Sequence, residues 1–328
     1  MVHIVFRNES QNISLNQIHS QLRVINEDFQ RSNSDVSDVL IDFEPLVADV
    51  NINFVLHTPD NIKLSEVGVV RASTNHSPFL NSDLHYSMEG GSDAVSPTSI
   101  LNIWVADLGG DLFAYSKNPP HFPQSETGIV IDYEYFGTNG TVKEPFDKGR
   151  TLTHEIGHWL GLPHPWGSNC IDADNISDTP VQKGPAYDCE LERSSCQSRD
   201  MVQNFMNLSN DRCLIFFTEG QRTAMRNFLM NEKGELINNN LILDNQNYEK
   251  ISEIMLFPNP AHEAFAIKAS IPLDHIEIRS TSGEEVGFDL KKNQSEVWLL
   301  PKHNTAGIYF LTISSGDRKI IKRVILNK

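Results

Sequence analysis

The sequence predicts a mixed α/β or α+β domain followed by a small all-β sandwich. Three observations predict it: strand-like and amphipathic helical stretches up to residue 230, an Asn-rich stretch without apolar period over 231–250, and closely spaced Ile-, Val-, Phe- and Tyr-rich segments over 251–328. A chain of 328 residues has room for two domains. The charge divides in the same place. There are 27 basic and 43 acidic side chains, a formal −16; from Ile251 onward the count is ten basic to nine acidic, which leaves 17 against 34 for the first 250 residues. So acidic a surface repels phosphate backbones and argues against a nucleic-acid partner. With 39% hydrophobic residues the chain can bury a sizeable core, and no apolar run approaches the ~18 residues of a membrane span.

In chain order, Val2 to Phe6 reads as a short strand. Ser14 and Gln17 have the spacing of a capping box, and Ile18, Leu22, Ile25 and Phe29 then recur on one helical face. Val50 to Phe54 alternates as a half-buried strand does, and Ile100 to Ala106 and Gly128 to Asp132 are further strands. A second helix is expected over about 148–160 with Leu152, Ile156, Trp159 and Leu160 facing the core. Thr218 and Gln221 cap a third, which carries Ala224, Met225, Phe228 and Leu229. In the last part, strands are expected at Ala264 to Ile267, His275 to Ile278, Val297 to Leu300, Gly307 to Ile313 and Lys319 to Leu326, with turns at Ser282-Gly283 and Ser315-Gly316-Asp317.

One segment carries chemistry: His154-Glu155-Ile156-Gly157-His158-Trp159-Leu160-Gly161-Leu162-Pro163-His164, an H-E-x-x-H extended to a third histidine. Histidines four apart on a helix lie about one turn above each other, so His154 and His158 can reach one ion. Glu155 beside them suits proton removal from water at that ion. On a straight helix His164 would lie about 9 Å beyond His158. Gly161 supplies a permissive backbone for turning back, and Pro163 discourages helix continuation. Three imidazoles with an open fourth position follow, which suits catalytic zinc.

All four cysteines, Cys170, Cys189, Cys196 and Cys213, fall in one loop-rich stretch without a C-x-x-C pair. They read as two disulfides formed in an oxidising compartment, against four buried thiols. Three pairings are possible, and spacing does not choose among them.

The extended motif marks the metzincin metallopeptidases, whose second signature is a methionine turn beneath the zinc. Asn204-Phe205-Met206-Asn207, with Met206 42 residues after His164, looks like that turn. More closely, the first part resembles the pappalysin family, from Val2-His3-Ile4-Val5 through Asn26-Glu27-Asp28-Phe29 and Ile103-Trp104-Val105 to the third helix, with Asp178-Thr179-Pro180 also similar. The resemblance implies a metzincin-like catalytic domain over 1–230 in which His154, His158 and His164 bind zinc and Glu155 is general base and acid. It implies the pairs Cys170–Cys196 and Cys189–Cys213, and a calcium ion in the cysteine loop with ligands at Asp174 and Thr179; oxygen-rich loops suit calcium. It also implies an extended substrate along an edge strand near Ile103 to Ala106. Two positions depart from the family. Leu208 stands where members commonly have a Tyr that supports the oxyanion, and Arg212, preceded by Asp211, stands where members cutting before basic residues have an acidic side chain. Weakened or reversed basic preference is the expectation.

The tail resembles the C-terminal sorting domain of Bacteroidetes proteins exported by type IX secretion, in Phe257-Pro258-Asn259-Pro260, Ile276-Glu277-Ile278, Gly307-Ile308-Tyr309-Phe310-Leu311 and Lys322-Arg323-Val324. Met1 to Phe6 does not read as a signal peptide. The signal that type IX cargo needs and the pro-segment of the pappalysin family are expected to be missing from this sequence, which is expected to be a mature or truncated form. The expected function is a secreted or surface-attached zinc endopeptidase acting on proteins or peptides, with the type IX machinery as partner. Its rivals are a surface binding protein with an inactive or structural zinc site, and a zinc amidase acting on small molecules.

Overall fold

The computed structural model describes residues 1–110, 112–171, 174–238 and, further on, 254–257, 261, 264–269, 273–280, 286–292, 297–302, 307–315 and 318–326. The chain divides into two compact units, Met1–Ile242 and Leu243–Lys328.

In the first unit, β1 (Val2–Phe6) runs parallel to β2 (Val69–Ser73) on one side and β3 (Ile103–Ala106) on the other. Beyond β3, β4 (Ala114–Lys117) and β5 (Gly128–Asp132) complete the sheet in the order β2-β1-β3-β5-β4. β5 is parallel to β3, and β4 is antiparallel to β5 at the edge. β3 and β5 are buried throughout, as strands covered on both faces must be. Period-two alternation sends Ile4, Val105 and Ile131 into one core, shared with the two long helices below, and Val5, Trp104 and Val130 into a second core on the opposite face.

α1 (Leu15–Phe29) starts where Ser14 accepts a hydrogen bond from the Gln17 amide. The capping box expected there is only half formed. The Gln17 side chain instead donates to the Phe136 carbonyl at 2.8 Å and to Thr141 at 2.9 Å, holding a distant loop. α2 (Arg150–Trp159) follows β5 and carries the zinc motif; Leu152, Ile156, Trp159 and Leu160 are buried as expected. Then come two short pairings, β6 (Trp166–Gly167) with β7 (Gln182–Lys183) and β8 (Ser194–Ser195) with β9 (Ser198–Arg199). α3 (Glu219–Glu232) opens on a complete capping box of Thr218 and Gln221.

Three expectations need correction. Val50 to Phe54 is not a strand: Asn51 has φ +55°, and both backbone groups of Phe54 are taken by the Asn26 side chain at 2.7 and 3.0 Å, which replaces a ladder. Ile103 to Ala106 is not an edge; it lies between β1 and β5, and the antiparallel edge is β4. The stretch read as a linker begins as helix, since α3 runs to Glu232 and α4 (Gly234–Asn238) follows, with Leu236 against the core. Residues 239–250 lie outside the described ones.

The second unit holds two antiparallel sheets. β10 (Ile254–Phe257), β11 (Phe265–Ala269), β12 (His275–Ser280), β13 (Phe288–Lys292), β14 (Val297–Pro301), β15 (Gly307–Ser315) and β16 (Arg318–Leu326) pair as β10-β11-β14-β13 and β12-β15-β16. Phe265, Ile267 and Leu299 of the first sheet share one buried cluster with Ile278, Leu311, Ile313 and Val324 of the second, which makes the pair a sandwich. The expected turns at Ser282-Gly283 and Gly316-Asp317, and Pro258-Asn259-Pro260, lie outside the described residues.

On the face of the main sheet opposite the helices, His3 and His85 both pack on Trp104, stacked at 5.1 Å and edge-on at 4.4 Å. Lys117 of β4 donates to the His85 Nε2 at 3.2 Å and pairs with Glu126 at 2.6 Å, so this cluster anchors the edge strand. Burial pushes both histidines down to about 4 from an ordinary 6.5. With folded values below unfolded ones, the unfolded chain binds their protons first. Stability is full above about pH 6.5 and is lost as pH falls from 6.5 to 4. We expect unfolding free energy between pH 6 and 4.5 to show a slope that His85→Gln lowers by about one proton; an unchanged slope in denaturant titrations would exclude His85 as the source.

Candidate metal centre

The N-terminus of α2 is capped from far away. Gly149, at φ +78°, has no side chain to offer; the buried Asp211 carboxylate accepts from the Lys148 and Arg150 amides at 2.8 and 3.2 Å. Burial pushes Asp211 up to about 6, against those hydrogen bonds. Arg150 pairs with Asp28 of α1 at 2.8 Å and with Asp35 at 3.1 Å, while Thr153 donates to Asp28 at 2.6 Å. The zinc-motif helix is thereby locked to α1 before its first histidine.

The other end of α2 stops in a Schellman arrangement. Leu162 donates to the Gly157 carbonyl at 3.0 Å and Gly161 to His158 at 2.9 Å, with Gly161 at φ +87°. A Cβ on Gly161 would also come within 2.6 Å of the Phe228 ring, so both the backbone and the packing demand glycine. The chain turns back as the motif predicts. His164 Nε2 lies 3.0 Å from His158 Nε2 and 3.2 Å from His154 Nε2.

Those separations suit a small tetrahedral cation. Two nitrogens each bound at 2.0–2.1 Å to tetrahedral zinc stand about 3.3–3.4 Å apart. His154 Nδ1 donates to the Phe205 carbonyl at 2.8 Å and His158 Nδ1 to Leu162 at 2.7 Å, which leaves the Nε2 lone pairs facing inward. Burial pushes all three imidazoles below their ordinary range, so they are neutral, as ligands must be. Among the described residues no fourth His, Cys, Asp or Glu joins the cluster. Glu155 is buried, and burial pushes its carboxyl up to about 8; a cation at the triad would act in the opposite direction.

Met206 lies directly beneath. A Cβ on Gly157 would be 2.3 Å from the Met206 sulfur, so α2 and the methionine turn are in contact through a missing side chain. The turn is fixed by Asn204, which accepts from the Met206 amide and exchanges two hydrogen bonds with Gln221 of the α3 cap. Asp178 caps the same helix, accepting from Thr218 and from the Gly220 amide at 2.8 Å each. Sequence reasoning missed Gly157, although a glycine inside a helix is itself a signal of close packing. It also missed Asp211 and Arg150, whose partners are remote in sequence and leave no local pattern.

The disulfides are Cys170–Cys196 and Cys189–Cys213, the pairing the resemblance implied. Asp174 and Thr179 are brought together, the hydroxyl lying 2.7 Å from the carboxylate. Arg212 is exposed, its Nε 3.2 Å from the Cys189 sulfur, and the neighbouring Asp211 is committed to α2. Leu208 is half-buried and offers no side-chain donor.

A mixed sheet, a helix bearing two convergent histidines, a glycine reversal to a third and a methionine turn below them define a metzincin-type metallopeptidase. Residues 100–230 match the pregnancy-associated plasma protein-A peptidase family, and residues 255–327 match the secretion system C-terminal sorting domain. Tannerella forsythia mature mirolysin, solved in complex with a cleaved peptide, is 37% identical with a TM-score of 0.67, over 72% of this chain and 93% of that one. A mutant promirolysin from the same organism matches at the same identity and TM-score, over 72% of this chain and 81% of its own. An extracellular metalloprotease of Neurospora crassa is 36% identical over 139 residues, 39% of this chain and 47% of that protein. Extracellular metalloprotease 1 of Coccidioides posadasii is 39% identical over 135 residues, 38% and 48% respectively. This chain thus spans about half the length of the curated relatives it matches. It belongs to the pappalysin family of zinc metalloendopeptidases.

Gly157→Ala tests the contact with the methionine turn. On an open helix this change stabilises by about 1 kcal/mol; here overpacking against Met206 should destabilise by about 1–3 kcal/mol in denaturant unfolding. A stabilised variant would contradict the contact.

Proposed function

We propose that this chain is an exported zinc-dependent endopeptidase that hydrolyses peptide bonds in proteins, with Glu155 as its general base. The observation that carries this reading is the convergence of His154, His158 and His164 without a fourth protein ligand among the described residues, next to a carboxylate on the same helix. A structural zinc site would close with a fourth ligand and would have no use for Glu155.

Zinc at the triad would supply a Lewis acid that lowers the pKa of water and polarises a carbonyl. Glu155 takes the proton from the attacking water and passes it to the leaving amine nitrogen as the carbon–nitrogen bond breaks. His154 and His158 are held in the required tautomer by their carbonyl partners. An extended substrate would add along β4, the antiparallel edge, whose outer side pairs with no strand among the described residues. Asn118, just after that strand, donates to the His158 and Trp159 carbonyls at 3.4 and 3.3 Å and so ties the edge to the metal-binding helix.

Leu208 removes one oxyanion donor, a loss that costs about 10²-fold in rate. This position favours the second reading, a surface binding protein whose zinc site turns over nothing. Arg212 in place of an acidic side chain points to weakened or reversed preference for basic residues after the scissile bond, and Asp174 with Thr179 supports a structural calcium site. The sorting tail supports delivery by the type IX machinery, with release or surface attachment as its end points.

Mass-spectrometric mapping of cuts in a peptide library should show cleavage that Glu155→Ala lowers by about 10²–10⁴-fold while zinc content stays at one ion per chain. Chelation should abolish the cuts and added zinc restore them. No cuts by the folded, zinc-loaded chain would leave the binding reading in place. Strong selection for Arg after the scissile bond would refute the role given to Arg212.

A further inference from the structure

The three zinc ligands are not held alike. His154 and His158 each donate from Nδ1 to a backbone carbonyl, at 2.8 and 2.7 Å. His164 has no such partner among the described residues, and it sits beyond the end of α2, on the chain that Gly161 turns back. What His164 has instead is Trp166. The indole lies on the imidazole with ring centroids 4.4 Å apart and planes inclined by 12°.

We propose that Trp166 is the positioning residue of the third zinc ligand: its stacked indole sets the plane of the His164 imidazole and transmits that plane from the disulfide-closed loop. This inference rests on zinc being held by the triad. The backbone of Trp166 is fixed independently of His164, since β6 pairs with β7 and Gly184 donates to the Gly167 carbonyl at 2.9 Å. Gln182, opposite Trp166, is fully buried, and its side-chain oxygen accepts from the Met201 amide at 3.2 Å. The indole Nε1 is buried and has no hydrogen-bond partner among the described residues. Among the described residues, ring stacking and the backbone, and no polar contact, set the orientation of the indole. An imidazole with one ring nitrogen aimed at an ion still rotates about that axis unless its far side is held. Carbonyls do this for two of the ligands, and an aromatic face does it for the third.

The test compares wild type with Trp166→Phe, which keeps an aromatic face, and Trp166→Met, which keeps apolar volume without one. Zinc affinity is read by competition with a colorimetric chelator on the full chain, and unfolding midpoints are read on the metal-free chain. We expect Trp166→Phe to bind within about 3-fold of wild type. Trp166→Met should bind at least about 10-fold more weakly, as removal of a ligand's supporting partner does, with an unchanged metal-free midpoint. Equal affinity of Trp166→Met and wild type overturns the proposal, as does a metal-free midpoint that falls together with affinity. If Trp166→Met is not recovered folded, Co²⁺ titration of tryptophan fluorescence decides. Quenching in wild type that is diminished in Trp166→Phe supports the contact, and equal quenching overturns it. Wild type that binds no zinc through the three histidines would sink the functional reading itself, a result distinct from any difference among Trp166 variants.

Discussion

The metal centre depends on one reversal of the chain, the four residues Leu160 to Pro163 between Trp159 and His164. A left-handed Gly161 makes that reversal, and the Phe228 ring packs so closely on it that no β-carbon fits. Phe228 belongs to α3, which begins near residue 219, and α3 is placed by Asp178 and by the amide pair of Asn204 and Gln221. The same Asn204 holds the methionine turn against Gly157. The third ligand therefore reaches the other two only when the methionine turn, the α3 cap and the reversal have formed together. A site whose donor atoms lie within eleven residues of sequence is assembled by contacts that span more than sixty.

Buried charges serve the same end. Arg150 with Asp28 and Asp35, and Lys117 with Glu126, are ion pairs largely removed from water, and such pairs contribute little net stability compared with apolar packing. What they do supply is direction. The Arg150 guanidinium lies 5.1 Å from the centre of the Phe205 ring, and the Phe205 carbonyl orients His154. Lys117 holds the inner face of the edge strand, and Asn118 holds its end against α2. Arg150 joins α2 to α1 and to the loop after it, and Lys117 joins β4 to the turn before β5; replacement by apolar groups would leave several orientations of similar energy.

Whatever depended on local spacing was legible in the sequence. The histidine motif, its glycine reversal, the core faces of α2 and α1 and five of the seven described strands of the second unit all follow from periodicity or from breakers at fixed offsets. The errors share a cause. Ile103-Trp104-Val105-Ala106 is a continuous apolar run, which physically means burial on both faces and a central place in a parallel sheet; only the resemblance places it at an edge. The true edge, Ala114-Tyr115-Ser116-Lys117, has no strand-like pattern because its neighbour is supplied by β5. Asp211 and Asn26 act as a helix cap and a strand substitute for partners that are distant or that their own type does not announce. Disulfide pairing is of the same kind: spacing leaves three answers, and the folded loop closes the one that the resemblance implies.

The triad also bears on folding itself. Donation from Nδ1 leaves the Nε2 atoms of His154 and His158 as bare acceptors, and His164 brings a third ring nitrogen to within 3.0 and 3.2 Å of them. Two acceptor lone pairs at that distance repel. One proton can bridge one pair of nitrogens but cannot serve three. A divalent cation at the centre reverses every one of these interactions at once. Because the unfolded chain does not gather the three imidazoles, the free energy of binding such an ion is added to the stability of the fold. The contacts that hold the site in shape, from Asp211 at one end of α2 to Gly161 at the other, work against this local repulsion and set up an electrostatic demand that a divalent cation would satisfy.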